Sequence, residues 1–249
     1  MSDHIHFPNA PIVEALLDIR CTLSPEINLA TLALFHERIK SDFPIKEERI
    51  IWQAGFEIKA GNCPEVVSPK GEPDGYLFRP TDKKRIVQAR LDGFTFNKLK
   101  PYTNWGDFSG EAKKLWQHYV EVAKPTKVIR IALRYINRID IPLPFKDFGE
   151  YIKTVPLIGD GIPKSLSGLF MRLVIPDPDL KAMAIITETV DKIDEKTNKL
   201  PLIFDIDVYM EQPFELQTDT IWKSLENLHE FEYSIFIKSL TNKTEELFK

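Results

Sequence analysis

The chain has 249 residues, of which 43% are hydrophobic and 28% are charged, a composition typical of a globular protein. Its net charge of −4 gives no overall attraction to nucleic acid or to anionic membranes, so neither is favoured as a partner. No window approaches the ~20 apolar residues of a membrane-spanning helix. The N-terminal residues lack the basic and then apolar pattern of a signal peptide. Together these features predict a cytoplasmic location and no membrane partner.

The first half of the chain alternates between strand and helix patterns. Apolar residues at every second position predict a strand over 12–21, and helical spacing from the candidate N-cap Asn28 predicts a helix that stops at Pro44. A second strand pattern covers 49–59, and a loop rich in Gly and Pro follows it. A hairpin is predicted over 75–99 around the polar turn "TDKK", and a helix then ends before Pro125.

The second strand of this hairpin changes its apolar phase. Val87 and Ala89 share one face, whereas Phe94 and Phe96 carry the pattern after Gly93. Because glycine at a phase change is typical of a β-bulge, we expect one continuous strand over 85–99 with a bulge at Gly93.

The second half repeats this order of elements. A strand, a short helix, three further strands and a long C-terminal helix are predicted over 128–141, 145–153, 166–175, 182–190, 202–210 and from about 219 onward. Each half therefore reads β-α-β-β-β-α, with the halves spanning 1–126 and 127–249. This pattern predicts an α+β fold of two internal repeats that form one extended, curved antiparallel sheet with helices packed on one side.

The strand "VIRIALRYINRIDIP" carries three arginines, Arg130, Arg134 and Arg138, at every fourth position and so on one face. When the first strands of the two halves are superposed, Glu14 falls on Arg130 and Asp18 falls on Arg134. A pseudo-two-fold axis would place these strands side by side and antiparallel at the centre of the sheet. We therefore predict that the two acids neutralise Arg130 and Arg134 across the junction of the repeats.

Other arginines are left without an acid at the matching position. These are Arg20 and Arg138, whereas Gln88, Arg90 and Asp92 extend the charge network from a neighbouring strand. If the sheet face binds a nucleotide, an RNA or a small anion, these three arginines are the candidate ligand-binding residues.

Motifs of common enzymes and cofactor sites are absent from the sequence. It contains no GxGxxG, Walker A, GxSxG or HExxH pattern, so no cofactor and no catalytic residue is predicted, and the question of catalysis stays open.

His4 and His6 have HxH spacing without a third ligand in view, so no metal site is predicted. His229 and Glu232 lie three residues apart on the last helix and form a weak acid–base candidate. Trp105 is interpreted as core packing.

Four blocks of the sequence carry a family resemblance. They are "FPNAPIVEALLDIR" near the N-terminus, "FNKLKPYTNW", "KVIRIALRYINRIDIP" and "IKSLT" near the C-terminus. In this order they resemble the signatures of an uncharacterised protein family that is sporadically distributed among bacteria and archaea. The resemblance spans almost the whole chain, and "HEFEYSIF" departs from it where a more basic stretch is expected. Patchy distribution implies mobile genes, such as those of toxin–antitoxin, immunity or phage-defence modules.

Two functions of different classes follow. The first is a non-enzymatic interaction protein, for example an antitoxin, an immunity protein or a phage-defence accessory protein that binds a protein encoded nearby. The second is a nucleotide, RNA or small-anion binder that uses the arginine-bearing sheet face. The sequence leaves the oligomeric state open.

Overall fold

The computed structural model describes residues 5, 7–57, 65–162, 166, 168–193, 196–216 and 219–249. Within these ranges nine strands form one antiparallel sheet: β1 (Ile12–Thr22), β2 (Ile45–Glu57), β3 (Glu65–Arg79), β4 (Arg85–Arg90), β5 (Gly93–Leu99), β6 (Lys127–Pro142), β7 (Phe170–Asp177), β8 (Ala182–Val190) and β9 (Lys199–Phe214). The α-helices are α1 (Leu29–Ala33), α2 (Phe35–Ile39), α3 (Trp105–Ala123), α4 (Thr220–Ser239) and α5 (Asn242–Glu245). Short 3-10 helices cover Phe148–Glu150 and Glu246–Phe248.

The strand order across the sheet is β2-β3-β4-β5-β1-β6-β9-β8-β7. β1 and β6, the first strand of each half of the chain, therefore pair at the centre, with Leu17 opposite Leu133. β2 and β7 form the two edges. The predicted α+β class with one large antiparallel sheet is confirmed.

The helices α1–α4 pack on the face of the sheet that carries Leu17 and Leu133. Tyr119 of α3 contacts Cys21 of β1 at 3.6 Å, and His229 of α4 lies 3.4 Å from the Tyr135 hydroxyl of β6. At the other end, Phe35 of α2 packs its ring edge-on against Phe78 of β3. We call this side the helix face and the opposite side the open face.

Alternation along the strands produces the core. In β1 the residues Ala15, Leu17, Ile19 and Cys21 point to the helix face and are buried, as their spacing predicts. Cys21 is a free buried thiol, which agrees with its interpretation as a small apolar core residue. One hydrophobic cluster runs through residues of both halves of the chain.

The expected bulge at Gly93 is wrong. Leu91 and Asp92 form a two-residue turn, and Gly93 begins a separate strand, β5, with φ of 151°. A Cβ atom at Gly93 would lie 2.2 Å from the carbonyl oxygen of Ile19, so the close approach of β1 requires glycine here. The change of apolar phase thus marks a reversal of the chain.

The other differences concern strand and helix lengths. β3 extends back through residues predicted as loop, because antiparallel pairing with β2 satisfies its backbone groups in spite of its Gly and Pro content. The helix expected after Asn28 is divided at Leu34 into α1 and α2. The helix expected over 145–153 is one turn of 3-10 helix.

Candidate functional site

Asp18 lies at the centre of the charges on the open face. One of its carboxylate oxygens accepts hydrogen bonds from Arg90 Nη2 and Thr95 Oγ1, both at 2.8 Å, and the other accepts from Arg130 Nη1 at 3.3 Å. The side chain is almost fully buried. Asp18 therefore joins strands β4, β5, β1 and β6 through charged and polar contacts on the open face.

The partner of Arg134 differs from the prediction. Its Nε and Nη2 atoms donate to the two oxygens of Asp205 at 2.8 and 2.5 Å, a bidentate pair within the second half of the chain. The reason is the register, because β1 places Leu16 opposite Arg134 and leaves Asp18 opposite Ala132. Glu14 instead accepts a hydrogen bond from Asn97 Nδ2 at 2.5 Å.

Asp205 and Asp207 line the same face of β9, and both are directed toward β6. The Asp207 carboxylate lies 3.9 Å from Arg130, whose guanidinium also stacks over the Tyr209 ring at 4.5 Å. Burial raises the pKa of Asp207, and the nearby Arg130 and Arg134 partly offset this effect. Burial lowers the pKa of Arg90, but the attraction of Asp18 and Asp92 outweighs it, so the net shift is upward. These groups form one structural charge network.

The three candidate ligand-binding arginines each contact an acid. Arg90 Nε donates to Asp92 at 2.7 Å, besides its bond to Asp18. Arg20 lies 3.6 Å from Asp18 and 3.9 Å from Asp92, and it is half exposed.

Arg138 lies away from the other two. Its Nε donates to Asp140 at 2.9 Å, and eight residues of extended strand, about 26 Å, separate it from Arg130. The structure thus brings Arg20 and Arg90 together around Asp92 and leaves Arg138 apart. The acids that the superposed strand does not place opposite these arginines come from their own strands and turns, since Asp92 and Asp140 follow two residues after Arg90 and Arg138.

Exposed apolar side chains are concentrated in one part of the described chain. Eight of its fifteen exposed large hydrophobic residues fall between positions 155 and 193: Val155, Leu157, Ile162, Leu166, Phe170, Val174, Ile175 and Ile193. Scattered exposed apolar residues are normal on a protein surface, whereas a concentration of them is typical of an interaction site.

Three of these residues belong to β7, the edge strand. Phe170 and Val174 point to the open face, since Val174 pairs with Ile185, which pairs with Asp207. Ile175 points to the other side and is also exposed. We call Phe170, Val174 and Ile175 the β7 surface; the exposed apolar residues Val155, Leu157, Ile162 and Leu166 precede it in the chain. The sequence predicted the strand but gave it no role, although "LFMRLVI" breaks the alternation of apolar and polar residues expected of a half-exposed strand.

Metal binding finds no support among the residues that the structure describes, since they contain no cluster of three or more His, Cys, Asp and Glu side chains that could hold an ion. His4 and His6 lie outside these residues. Within the same ranges, no helix is long and apolar enough to cross a membrane.

The chain matches no protein-family model, and no curated protein is significantly similar to it. The family resemblance of the four sequence blocks stays a prediction.

Proposed function

We propose that this protein acts by binding a protein partner through the β7 surface. The observation that carries the proposal is the concentration of exposed apolar side chains on and before an edge strand. An edge strand presents a row of unpaired backbone N–H and C=O groups, and proteins commonly protect such edges with charges or prolines. In β7 the residues that could protect the edge are Arg172, Pro176 and the last residue, Asp177.

The partner that fits this surface supplies an extended segment with alternating apolar side chains. Such a segment adds a tenth strand beside β7, where backbone hydrogen bonds provide affinity. Its apolar side chains pack on Phe170 and Val174 on one side and near Ile175 on the other. This mode requires no catalytic residue in the chain.

The class of partner follows from the family resemblance. A sporadically distributed family suggests a gene that travels with a neighbour, so the partner is the product of an adjacent gene. We therefore propose a non-enzymatic role in the cytoplasm, as an antitoxin, an immunity protein or a phage-defence accessory protein.

Co-expression with each neighbouring gene product, followed by purification and light scattering, tests the proposal. We expect a stable complex that Val174→Lys disrupts. Ile50→Lys is the matched control, because Ile50 lies on the opposite edge strand and is 46% exposed, against 47% for Val174. Thermal unfolding of both variants separates a loss of binding from a loss of folding. The proposal fails if neither neighbour forms a complex, or if Val174→Lys and Ile50→Lys leave equal amounts of it.

The second candidate function is binding of a nucleotide, an RNA or a small anion at Arg20, Arg90 and Arg138. It has weaker support because each guanidinium contacts a carboxylate. Half-exposed Arg20 is the side chain best placed to reach a ligand. A thermal-shift screen with nucleotides and phosphate tests it, since a ligand stabilises the folded state in proportion to RT ln(1 + [L]/Kd).

The two halves of the chain, 1–126 and 127–249, are in our proposal internal β-α-β-β-β-α repeats in a curved sheet. The strand order supports this, because β5, β4 and β3 follow β1 outward as β9, β8 and β7 follow β6. β2 has no counterpart in the second half and would be an addition. Superposition of β6, β7–β9 and α4 on β1, β3–β5 and α3 by a rotation near 180° tests the proposal, and a poor fit would contradict it.

A further inference from the structure

A cavity of about 780 Å³ lies on the helix face over β6, which β9 and β8 separate from β7 in the sheet. Its floor is β6, and its sides are α4, the start of α3 and the segment 100–105. The N-terminal segment 7–12 forms a further wall, which is held in place by the Asn9 N–H donating to the Phe248 carbonyl at 3.0 Å. The volume lies within the range of sites for small molecules.

Aromatic rings form much of the lining: Phe7, Tyr102, Trp105, Tyr135, Tyr233 and Phe236. Several are fixed by contacts with each other. The hydroxyls of Tyr102 and Tyr135 are 3.0 Å apart, and the Trp105 ring stacks on His229 at 4.5 Å with the planes 13° apart. These contacts hold apolar and π surfaces in place before any ligand arrives.

Two buried polar side chains in the lining lack partners for their acceptors. Glu232 of α4 is only 5% exposed. No residue in the described ranges forms a hydrogen bond or an ion pair with its carboxyl group. Asn137 of β6 is almost fully buried, and its Nδ2 donates to the Phe204 carbonyl at 3.2 Å while its Oδ1 has no partner. Leaving such groups unpaired costs stability, so their presence in a cavity indicates that a bound group supplies the donors.

The charges of the lining determine which donor fits. Glu232 is the only buried Asp, Glu, Lys or Arg in the lining, since Lys100 and Asp107 are exposed. Burial raises the pKa of Glu232 well above its usual value, so the empty cavity favours the neutral acid and a cation bound beside it favours the carboxylate. An anion would therefore meet a carboxyl group inside the cavity. A protonated amine would gain an ion pair there and would also interact favourably with the aromatic faces.

We propose that this cavity binds a small organic amine, with its ammonium group at Glu232 and Asn137 Oδ1 and its apolar part against the aromatic rings. The site is separate from the proposed partner surface, because β9 and β8 lie between β6 and β7 in the sheet. Either proposal can fail without the other.

Three compounds of similar shape test the role of charge: 2-phenylethylamine, which is a cation at pH 7, neutral 2-phenylethanol and anionic phenylacetate. Binding to the full chain is measured by NMR titration. We expect the amine to bind at least ~10-fold more tightly than the alcohol, since a charge-assisted hydrogen bond is about twice as strong as a neutral one, and the anion to bind least. Equal or tighter binding of the alcohol or the anion, or no binding of the amine, would overturn the proposal.

Variants locate the binding. Glu232→Gln should remove the preference for the amine over the alcohol while leaving the affinity for the alcohol within about twofold, because the amide keeps the shape of the side chain but not its charge. Glu121→Gln is the control, since Glu121 is an exposed acid at the other end of α3, outside the cavity. A Glu232→Gln protein that keeps the wild-type preference would show that the amine binds elsewhere. The comparison of the three compounds on the wild-type chain stands even if this variant does not fold.

Discussion

Asp18 and Arg90 form a buried ion pair across β1 and β4, with 2.8 Å between Oδ1 and Nη2 and side chains that are 9% and 7% exposed. The strand between them, β5, adds Thr95, whose hydroxyl donates to the same carboxylate oxygen. Parts of the open face are therefore shielded from solvent. The free energy lost when one of its ion pairs is broken depends on how deeply that pair is buried.

Asp18→Ala should lower the free energy of unfolding by ~2–4 kcal/mol, because it leaves buried Arg90 and partly buried Arg130 without their shared carboxylate. Asp140→Ala is the matched control, since it removes an acid from an exposed pair with Arg138. That change should cost ~0–1 kcal/mol. Urea denaturation at pH 7 measures both. Equal losses in the two variants would show that burial does not strengthen the Asp18 contacts.

The pairing of Arg134 predicts a particular pattern of coupling. Arg134→Ala and Asp205→Ala remove the two sides of one bidentate contact, so the double variant should cost ~0.5–1 kcal/mol less than the sum of the single ones. The Arg134 side chain is 39% exposed, which keeps this value small. Denaturation of the four proteins of the cycle measures it.

The control cycle combines Arg134→Ala with Asp18→Ala. These two side chains do not pair, so their effects should add within about 0.5 kcal/mol. A larger coupling in this cycle than in the Arg134–Asp205 cycle would contradict the described register.

The charge pattern of the sequence predicted a network but could not assign all of its pairs. Superposing the first strands of the halves requires knowledge of their register, and a shift of two positions keeps every side chain on its face while changing its neighbours. That is why Asp18 contacts Arg130 while Arg134 turns to Asp205. The strands over 12–21 and 202–210 were predicted correctly, because their alternation depends only on which face is buried.

The cavity on the helix face was harder to predict. Its lining combines Asn137, Trp105 and Glu232 from three separated elements, and only the packing of α3 and α4 on β6 brings them together. Trp105 packs against the hydrophobic core, as the sequence predicts, but it also lines the cavity and stacks on His229, which the sequence did not indicate. One signal was present, since Glu232 falls in the apolar stripe of the last helix. An acid at such a position is either exposed at the edge of the stripe or buried for a reason.

Cys21 should be unreactive in the folded protein. Burial raises the pKa of its thiol to about 11, although a contact with the Tyr119 hydroxyl works in the opposite direction. At pH 8 the reactive thiolate is then about a thousandth of the thiol, and reagents cannot reach it. In a Cys63→Ser variant, a disulfide reagent such as DTNB should modify one thiol in urea and none within minutes under native conditions. Rapid stoichiometric reaction of the folded variant would contradict the burial of Cys21.

Glu188 of β8 gives the clearest expected dependence of stability on pH. Its side chain is fully buried on the helix face, opposite Phe204, and neither carboxyl oxygen has a hydrogen-bond partner. Burial raises its pKa from 4.5 to about 7. Because the folded state holds this proton more tightly than the unfolded state, the contribution of Glu188 to stability is greatest below pH 4.5. It falls as the pH rises to 7, by ~3 kcal/mol in total, and is constant above that.

Glu188→Gln removes the ionisation and keeps the size of the side chain. We expect it to raise the free energy of unfolding by ~2–3 kcal/mol at pH 8 and to change it by less than about 1 kcal/mol at pH 5. Glu26→Gln, at an exposed turn residue, should change stability little at either pH. Urea denaturation of the three proteins at both pH values measures the difference in free energy of unfolding between each variant and the wild type. The titration of all other groups is common to the proteins and cancels in this difference. A Glu188→Gln variant that is no more stable than the wild type at pH 8 would show that the folded protein accommodates the ionised carboxylate.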